Sequence, residues 1–244
     1  MEQKPIAVFD LDGTFVRSSL LIELVRGLVR EGVFPPLAER ELEAAYRAWR
    51  ERQGTYKDYL MKVVEVFYRR IRGRQVYDVE EVGRIVATEQ REQVYVYTRG
   101  LVQRLRDGHS LVAITGSPDV IARPFAEAWG FQRVYPSNLV ARDGVYTGER
   151  DPPMDASVDI SEFKRSLLQG AVSELGVTLA GSVGVGDTES DIPLLEMVES
   201  PIAFNPNLHL ARVARAKGWE MVYERKDAII HLRPEEQWTI DGLE

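Results

Sequence analysis

Apolar residues along this chain fall into two regimes of different period, and the change between them predicts the layout. Residues 5–10 form a short apolar run bounded by Pro5 and Gly13. The run is too brief for a helix and reads as a buried strand ending at Asp10. From about residue 17 to 96 the spacing becomes helical. Leu42, Tyr46 and Trp49 recur on one face, as do Leu60, Val63, Val64, Phe67 and Ile71. Thr55 with Asp58 three residues later predicts one helix start, and Asp78 before Glu80-Glu81 predicts another. Few strand signals interrupt this block, which reads as a helical insertion.

From about residue 97 strand and helix alternate. Leu101, Val102 and Leu105 lie on a helix that Gly108 closes, and residues 111–114 form a strand. Residues 119–129 form a helix stopped by Gly130. Residues 139–141 and 145–147 flank Asp143-Gly144, a favoured hairpin turn. Ser161 caps a helix running to about Leu175. Residues 182–185 and 202–204 are two further short strands, each followed by a helical segment. This alternation implies an α/β fold with a mostly parallel sheet and helices on both faces.

The 244 residues suit one large domain, or a domain with an insertion. A formal charge of −7, from 31 basic and 38 acidic residues, disfavours nucleic acid as the main partner. Cysteine is absent, so disulfides, thiolate metal sites and cysteine nucleophiles are all excluded. No signal-peptide apolar region fits the N-terminus, and no run approaches the ~20 apolar residues of a membrane span. A cytoplasmic protein without a membrane partner is expected. Basic charge is 25 Arg against 6 Lys, so each lysine invites inspection.

In a parallel α/β sheet the ligand crevice lies at the carboxyl ends of the strands. Asp10, Thr115 and Asp187 each fall at such an end, and Lys164 lies one turn into a helix that can face the same crevice. These side chains suit phosphoryl transfer. A phosphate beside several carboxylates needs cations to offset repulsion of several kcal/mol in a low-dielectric cleft. Asp10 and Asp187 can ligate Mg²⁺, which prefers hard oxygen donors. Lys164 adds a second positive charge and Thr115 a hydroxyl donor. Gly13 and Gly116 allow sharp turns that present N–H groups to phosphate. One carboxylate can then attack phosphorus while a second handles the proton.

At these residues the chain resembles a known group. Asp10-Leu11-Asp12-Gly13-Thr14, Thr115-Gly116-Ser117, Lys164 and Gly186-Asp187 with Asp191 are similar, in order, to the four motifs of the haloacid dehalogenase superfamily. Residues 187–196, followed by Asn205-Pro206-Asn207, look much like its phosphoserine phosphatase-like hydrolases. The resemblance implies a Rossmann-like catalytic core, residues 1–16 and 97–244, with residues 17–96 as an inserted helical cap. It implies Asp10 as the nucleophile that forms an aspartyl-phosphate, and Asp12 as the acid that becomes the base. Thr115, Gly116 and Lys164 would hold the phosphoryl group. Mg²⁺ would be bound by the Asp10 carboxylate, the Asp12 backbone carbonyl and Asp187, with Asp191 orienting that shell.

The expectation is therefore a Mg²⁺-dependent phosphatase acting on a small phosphorylated substrate. Phosphoserine phosphatase proper, or a phosphotransferase using the same aspartyl-phosphate, are the alternatives. A phosphoserine phosphatase would carry an acidic residue nine positions after the nucleophile to meet the substrate amine. That position is Ser19, and the nearest carboxylate is Glu23. A different phosphomonoester is favoured. Arg17, Ser19, Glu23, Arg47 and Lys57 are candidate leaving-group contacts, while Tyr46, Trp49, Tyr56 and Tyr59 read as packing. Gly184-Val185-Gly186 is no dinucleotide fingerprint, because its third glycine position is Glu189, whose charge would repel a pyrophosphate. His109, His209 and His231 lack metal-ligand spacing. Oligomeric state is left open.

Overall fold

Successive side chains of a strand point to opposite faces, so a strand apolar at every position must be covered on both sides. The first strand, β1 (Pro5–Phe9), meets this condition: Ala7 and Phe9 enter one apolar core, Ile6 and Val8 the other. The structure is a computed structural model that describes residues 3–152 and 160–233. Its strands continue as β2 (Ser110–Pro118), β3 (Arg133–Arg142), β4 (Val145–Asp151), β5 (Thr178–Gly186), β6 (Ser200–Phe204), β7 (Glu220–Arg225) and β8 (Ala228–Leu232). They form one sheet in the order β4-β3-β2-β1-β5-β6-β7-β8. The β3–β4 and β7–β8 pairs at its two ends are antiparallel, and every pair between them is parallel. The mostly parallel α/β architecture is thus as expected.

Helices α1 (Leu20–Arg30), α2 (Leu37–Arg50), α3 (Tyr56–Ile71) and α4 (Val76–Gln90) fill the chain between β1 and α5 (Val96–Leu105). The capping box at Thr55 is present, with Thr55 Oγ1 accepting from the Asp58 N–H at 3.1 Å. Asp78, in contrast, does not start a helix; α4 begins at Val76 with Gln75 as N-cap, which places Asp78 in the first turn. A tertiary contact sets this boundary. Gln75 bridges to Val145, and Val76 N–H donates to the Gly144 carbonyl at 3.0 Å. Helix α4 then packs on α6 (Asp119–Ala128) so closely that a Cβ on Gly83 would strike the Val120 carbonyl.

Leu24, Leu28, Val63, Phe67, Val82, Ile121 and Phe125 join Phe9 in the core on this face. Helices α1–α4 therefore share one apolar interior with the sheet. The opposite face is covered by α7 (Ile160–Leu175), α8 (Ile192–Leu195) and α9 (Leu208–Lys217), through Leu168, Leu195 and Leu210 among others. The Ser161 side chain expected to cap α7 lies outside the described residues. Helix α5 ends at Leu105, and Gly108 lacks the left-handed backbone of a closing glycine; Gly130 after α6 has it, at φ +86°. Asp143 and Gly144 both adopt positive φ, as a two-residue hairpin turn requires. No helix among the described residues is long and apolar enough to cross a membrane.

Candidate active site

Strands β2, β1 and β5 lie side by side where the strand order reverses, and the carboxyl ends of such strands open a crevice. Asp10 follows β1, Thr115 lies in β2, and Asp187 follows β5. Asp10 is fixed by its own backbone, whose N–H donates to the Val185 carbonyl at 3.0 Å. Residues far apart in sequence thus converge because parallel pairing aligns the strand ends.

Lys164 of α7 is buried here, and its Nζ donates to Asp10 Oδ1 at 2.7 Å and to Asp191 Oδ1 at 2.6 Å. Burial opposes its charge, but the two carboxylates outweigh it and hold the ammonium well above the ordinary lysine range. The carboxylates are less well compensated. Burial raises Asp10 to about 7, against Lys164, and the Asp191 and Asp12 charges add to the rise. Burial likewise pushes Asp187 well above 3.8, with further repulsion from Asp10 and Asp191. One ammonium cannot neutralise this group.

Asp12 is held apart from that cluster. Its Oδ1 accepts the Leu20 N–H at 2.5 Å and its Oδ2 accepts the Thr115 hydroxyl at 2.7 Å. Asp191 is wholly enclosed: beyond Lys164, its Oδ2 accepts from the Asp187 and Thr188 backbone N–H groups at 3.2 and 3.1 Å. A Cβ on Gly186 would lie 2.5 Å from the Asp191 Cβ, so only glycine admits this enclosure. Gly13, at φ +83°, brings the backbone after Asp12 against Asp187 Oδ2. Gly116 lies exposed within β2, where the pairing with β3 is irregular between Ile114 and Pro118, and it does not adopt positive φ.

Among the described residues no three carboxylate or imidazole side chains form a ready-made metal cluster. Asp12 is committed to Leu20 and Thr115, and Asp191 to Lys164 and the loop, so among the described residues only Asp10 and Asp187 of these four keep a carboxylate oxygen, Oδ2 in each, with no hydrogen-bond partner. Two hard oxygens with uncompensated negative charge, beside the Asp12 main chain, make a donor set suited to a small divalent cation.

Further residues contribute contacts whose partners the sequence did not name. Thr14 Oγ1 donates to Asp187 Oδ1 at 3.2 Å, and Ser117 Oγ accepts the Leu21 N–H at 3.2 Å. Asn207 N–H donates to the Asp187 carbonyl at 2.8 Å. Tyr56 and Tyr95 stand at the rim. Burial, then the Asp12 and Asp187 charges, raises the Tyr56 hydroxyl, and burial with Asp187 raises that of Tyr95. Tyr46, Trp49 and Tyr59 pack with Tyr56 in one aromatic cluster, Trp49 stacked on Tyr59 with centroids 5.7 Å apart. Of the remaining candidates, Ser19 is the buried N-cap of α1, and Glu23 accepts from Ser18 and pairs with Arg26. Lys57 pairs with Glu189 at 3.2 Å, Arg47 is exposed on α2, and Arg17 lies against Tyr95.

Known proteins resemble this chain in sequence and in fold. The phosphoserine phosphatase of Mycobacterium tuberculosis is 27% identical over 220 residues, covering 88% of this chain and 69% of that protein. The histidinol-phosphatase of Neisseria meningitidis is 24% identical over 233 residues, covering 90% and 98%. A solved Bordetella pertussis structure described as of unknown function shares the fold, with a TM-score of 0.70 at 23% identity over 90% and 98% of the two chains. The family model for haloacid dehalogenase-like hydrolases matches residues 7–196, and the crevice lies largely within that span. The chain belongs to the haloacid dehalogenase-like hydrolase family, and within it is similar to the phosphoserine phosphatase-like members.

Proposed function

We propose that this enzyme, a phosphoric monoester hydrolase, is a Mg²⁺-dependent phosphatase that cleaves a small phosphomonoester through an aspartyl-phosphate on Asp10. The observation that carries the reading is the division of labour between the two carboxylates of the first loop. Asp10 Oδ1 is held by Lys164, which leaves Oδ2 without a hydrogen-bond partner among the described residues and free to attack phosphorus. Asp12 is anchored separately, on Leu20 N–H and the Thr115 hydroxyl, in a position to exchange a proton.

In this mechanism Asp10 Oδ2 attacks phosphorus, the bond to the leaving alkoxide breaks, and Asp12 gives that oxygen its proton. Asp12 then takes a proton from water, which attacks the phosphoenzyme and releases phosphate and Asp10. Lys164 balances charge on the nucleophile, and the Thr115 hydroxyl turns from Asp12 to a phosphoryl oxygen. Asp191 positions Lys164 and the Asp187 loop. Mg²⁺ bound by the Asp10 and Asp187 side chains and the Asp12 carbonyl would supply positive charge to the phosphoryl oxygens. Helices α1–α4 would form a cap over residues of the core, as the Lys57–Glu189 pair across the rim suggests, and would exclude water during phosphoenzyme formation.

Relatives of comparable similarity are named for phosphoserine and for histidinol phosphate, so identity alone does not choose the leaving group. The arrangement argues against phosphoserine, since Ser19 is buried and Glu23 is already paired. The test is a screen of phosphomonoesters with Mg²⁺, using Asp10→Asn as the blank. Wild-type turnover that falls by at least about three orders of magnitude in the variant is expected. Near-normal turnover by Asp10→Asn would overturn the assignment.

A further inference from the structure

Of the described cations Arg17, Arg26 and Lys57, two are engaged in ion pairs. Lys57 pairs with Glu189, and Arg26 with Glu23. Arg17 is exposed and lies beside the Tyr95 ring, its guanidinium carbon 5.9 Å from the centroid. No carboxylate among the described residues pairs with it. Its position is built by backbone pairing. Val16 bridges Val94, Arg17 N–H donates to the Gln93 carbonyl at 3.0 Å, and Tyr95 N–H donates to the Phe15 carbonyl at 3.1 Å. Val16 also bridges Asp12, and its carbonyl accepts the Gly13 N–H at 3.1 Å, so Arg17 directly adjoins the loop that carries Asp10 and Asp12.

Among the described residues, the carboxylate nearest the position expected to meet an amine is already engaged. Ser19 is buried, and Glu23 accepts the Ser18 hydroxyl at 2.8 Å while paired to Arg26. We infer that Arg17 reads the leaving group, and that the leaving alcohol carries an anionic group, a carboxylate or a second phosphate, in place of an amine. The inference rests on the phosphatase reading and adds the substrate class to it. A planar guanidinium can bind either anion through two parallel N–H donors. Contact with the Tyr95 face restricts its orientation beforehand. A second anion entering a crevice lined by Asp10, Asp12 and Asp187 needs such a cation to offset their repulsion.

The experiment is steady-state kinetics of the Mg²⁺-loaded full chain on four probes. These are 4-nitrophenyl phosphate, phosphoglycolate with its carboxylate, propanediol bisphosphate with its second phosphate, and phosphoethanolamine with its amine. Wild type is expected to prefer one of the two anionic probes over phosphoethanolamine, and which one identifies the anion. Arg17→Ala should lower kcat/KM for that probe, relative to 4-nitrophenyl phosphate, by about 10- to 100-fold. Arg17→Lys should recover part of the loss, and Arg17→Glu should move preference toward phosphoethanolamine. The backbone bonds of Arg17 survive all three substitutions, so the fold should too. A wild-type preference for phosphoethanolamine, or an unchanged ratio in Arg17→Ala, would overturn the inference while leaving the phosphatase intact. Failure of wild type on every probe would instead sink the phosphatase reading itself.

Discussion

Asp12 Oδ1 accepts the Leu20 backbone N–H at 2.5 Å, so the first turn of helix α1 holds a carboxylate of the reaction loop in place. The start of α1 and the loop after β1 are therefore one hydrogen-bonded unit. Any displacement of α1 moves the group proposed to carry the proton.

Asp12→Asn keeps an oxygen for Leu20 but removes the proton. General acid catalysis contributes about 10²- to 10⁴-fold, and it matters most when the leaving group is a poor one. An alkyl phosphate should lose about that factor, while 4-nitrophenyl phosphate, whose leaving group needs no protonation, should lose less in the first step. Burst kinetics on the two substrates measures the difference. Equal losses in that step would remove Asp12 from the role of acid.

Lys164→Met leaves Asp10 and Asp191 facing each other in a buried site without the ammonium that now binds both. Breaking a buried pair by removing one partner costs about 3–5 kcal/mol. Denaturant unfolding of the metal-free variant should show a loss of that size. Asp191→Asn should be milder, because Lys164 retains Asp10.

Metal and pH are linked through the uncompensated carboxylates. Asp10 stands at about 7 in the folded protein against an ordinary 3.8, raised first by burial. A carboxylate raised on folding stabilises most fully below its unfolded pKa, and that contribution is lost as pH rises through the folded value. Melting temperature in chelator should therefore fall between about pH 4 and about pH 8. Saturating Mg²⁺ should raise it most at the upper end, where the site is fully ionised. Thermal melts with and without Mg²⁺ across that range test the sign. A melting temperature that rises with pH in chelator would contradict it.

Thr55→Ala removes the capping box of α3, which also carries Tyr56 and Lys57 at the rim. The expected cost is about 1 kcal/mol, read by denaturant unfolding. Fraying of the first turn should loosen the Lys57–Glu189 pair, so KM should rise more than kcat falls.

Much of this was legible along the chain. The apolar run before Asp10 alternates into two cores, and a strand of that kind belongs to a parallel sheet covered on both faces. The Thr55 box and the Asp143-Gly144 hairpin depend only on neighbouring residues, so local sequence sufficed. Strands β7 and β8 escaped notice because their turn places Lys226, at φ +56°, where Asn or Gly would have announced it. Most of β8 is exposed, and its residues lack an alternating pattern. The start of α4 was misjudged because the hairpin, distant in sequence, decides it.

By itself the sequence determined which groups could do chemistry here. Parallel strands bring their carboxyl ends together, so Asp10, Thr115 and Asp187 had to meet once those runs became neighbouring strands. Only the tertiary structure decided how each is used. Lys164 could be partnered with Asp10 and Asp191 only through the docking of α7, and Asp12 could be turned away from that cluster only by Leu20 and Thr115. Hydrogen-bond direction and burial are properties of contacts between elements. No spacing along a single chain encodes them.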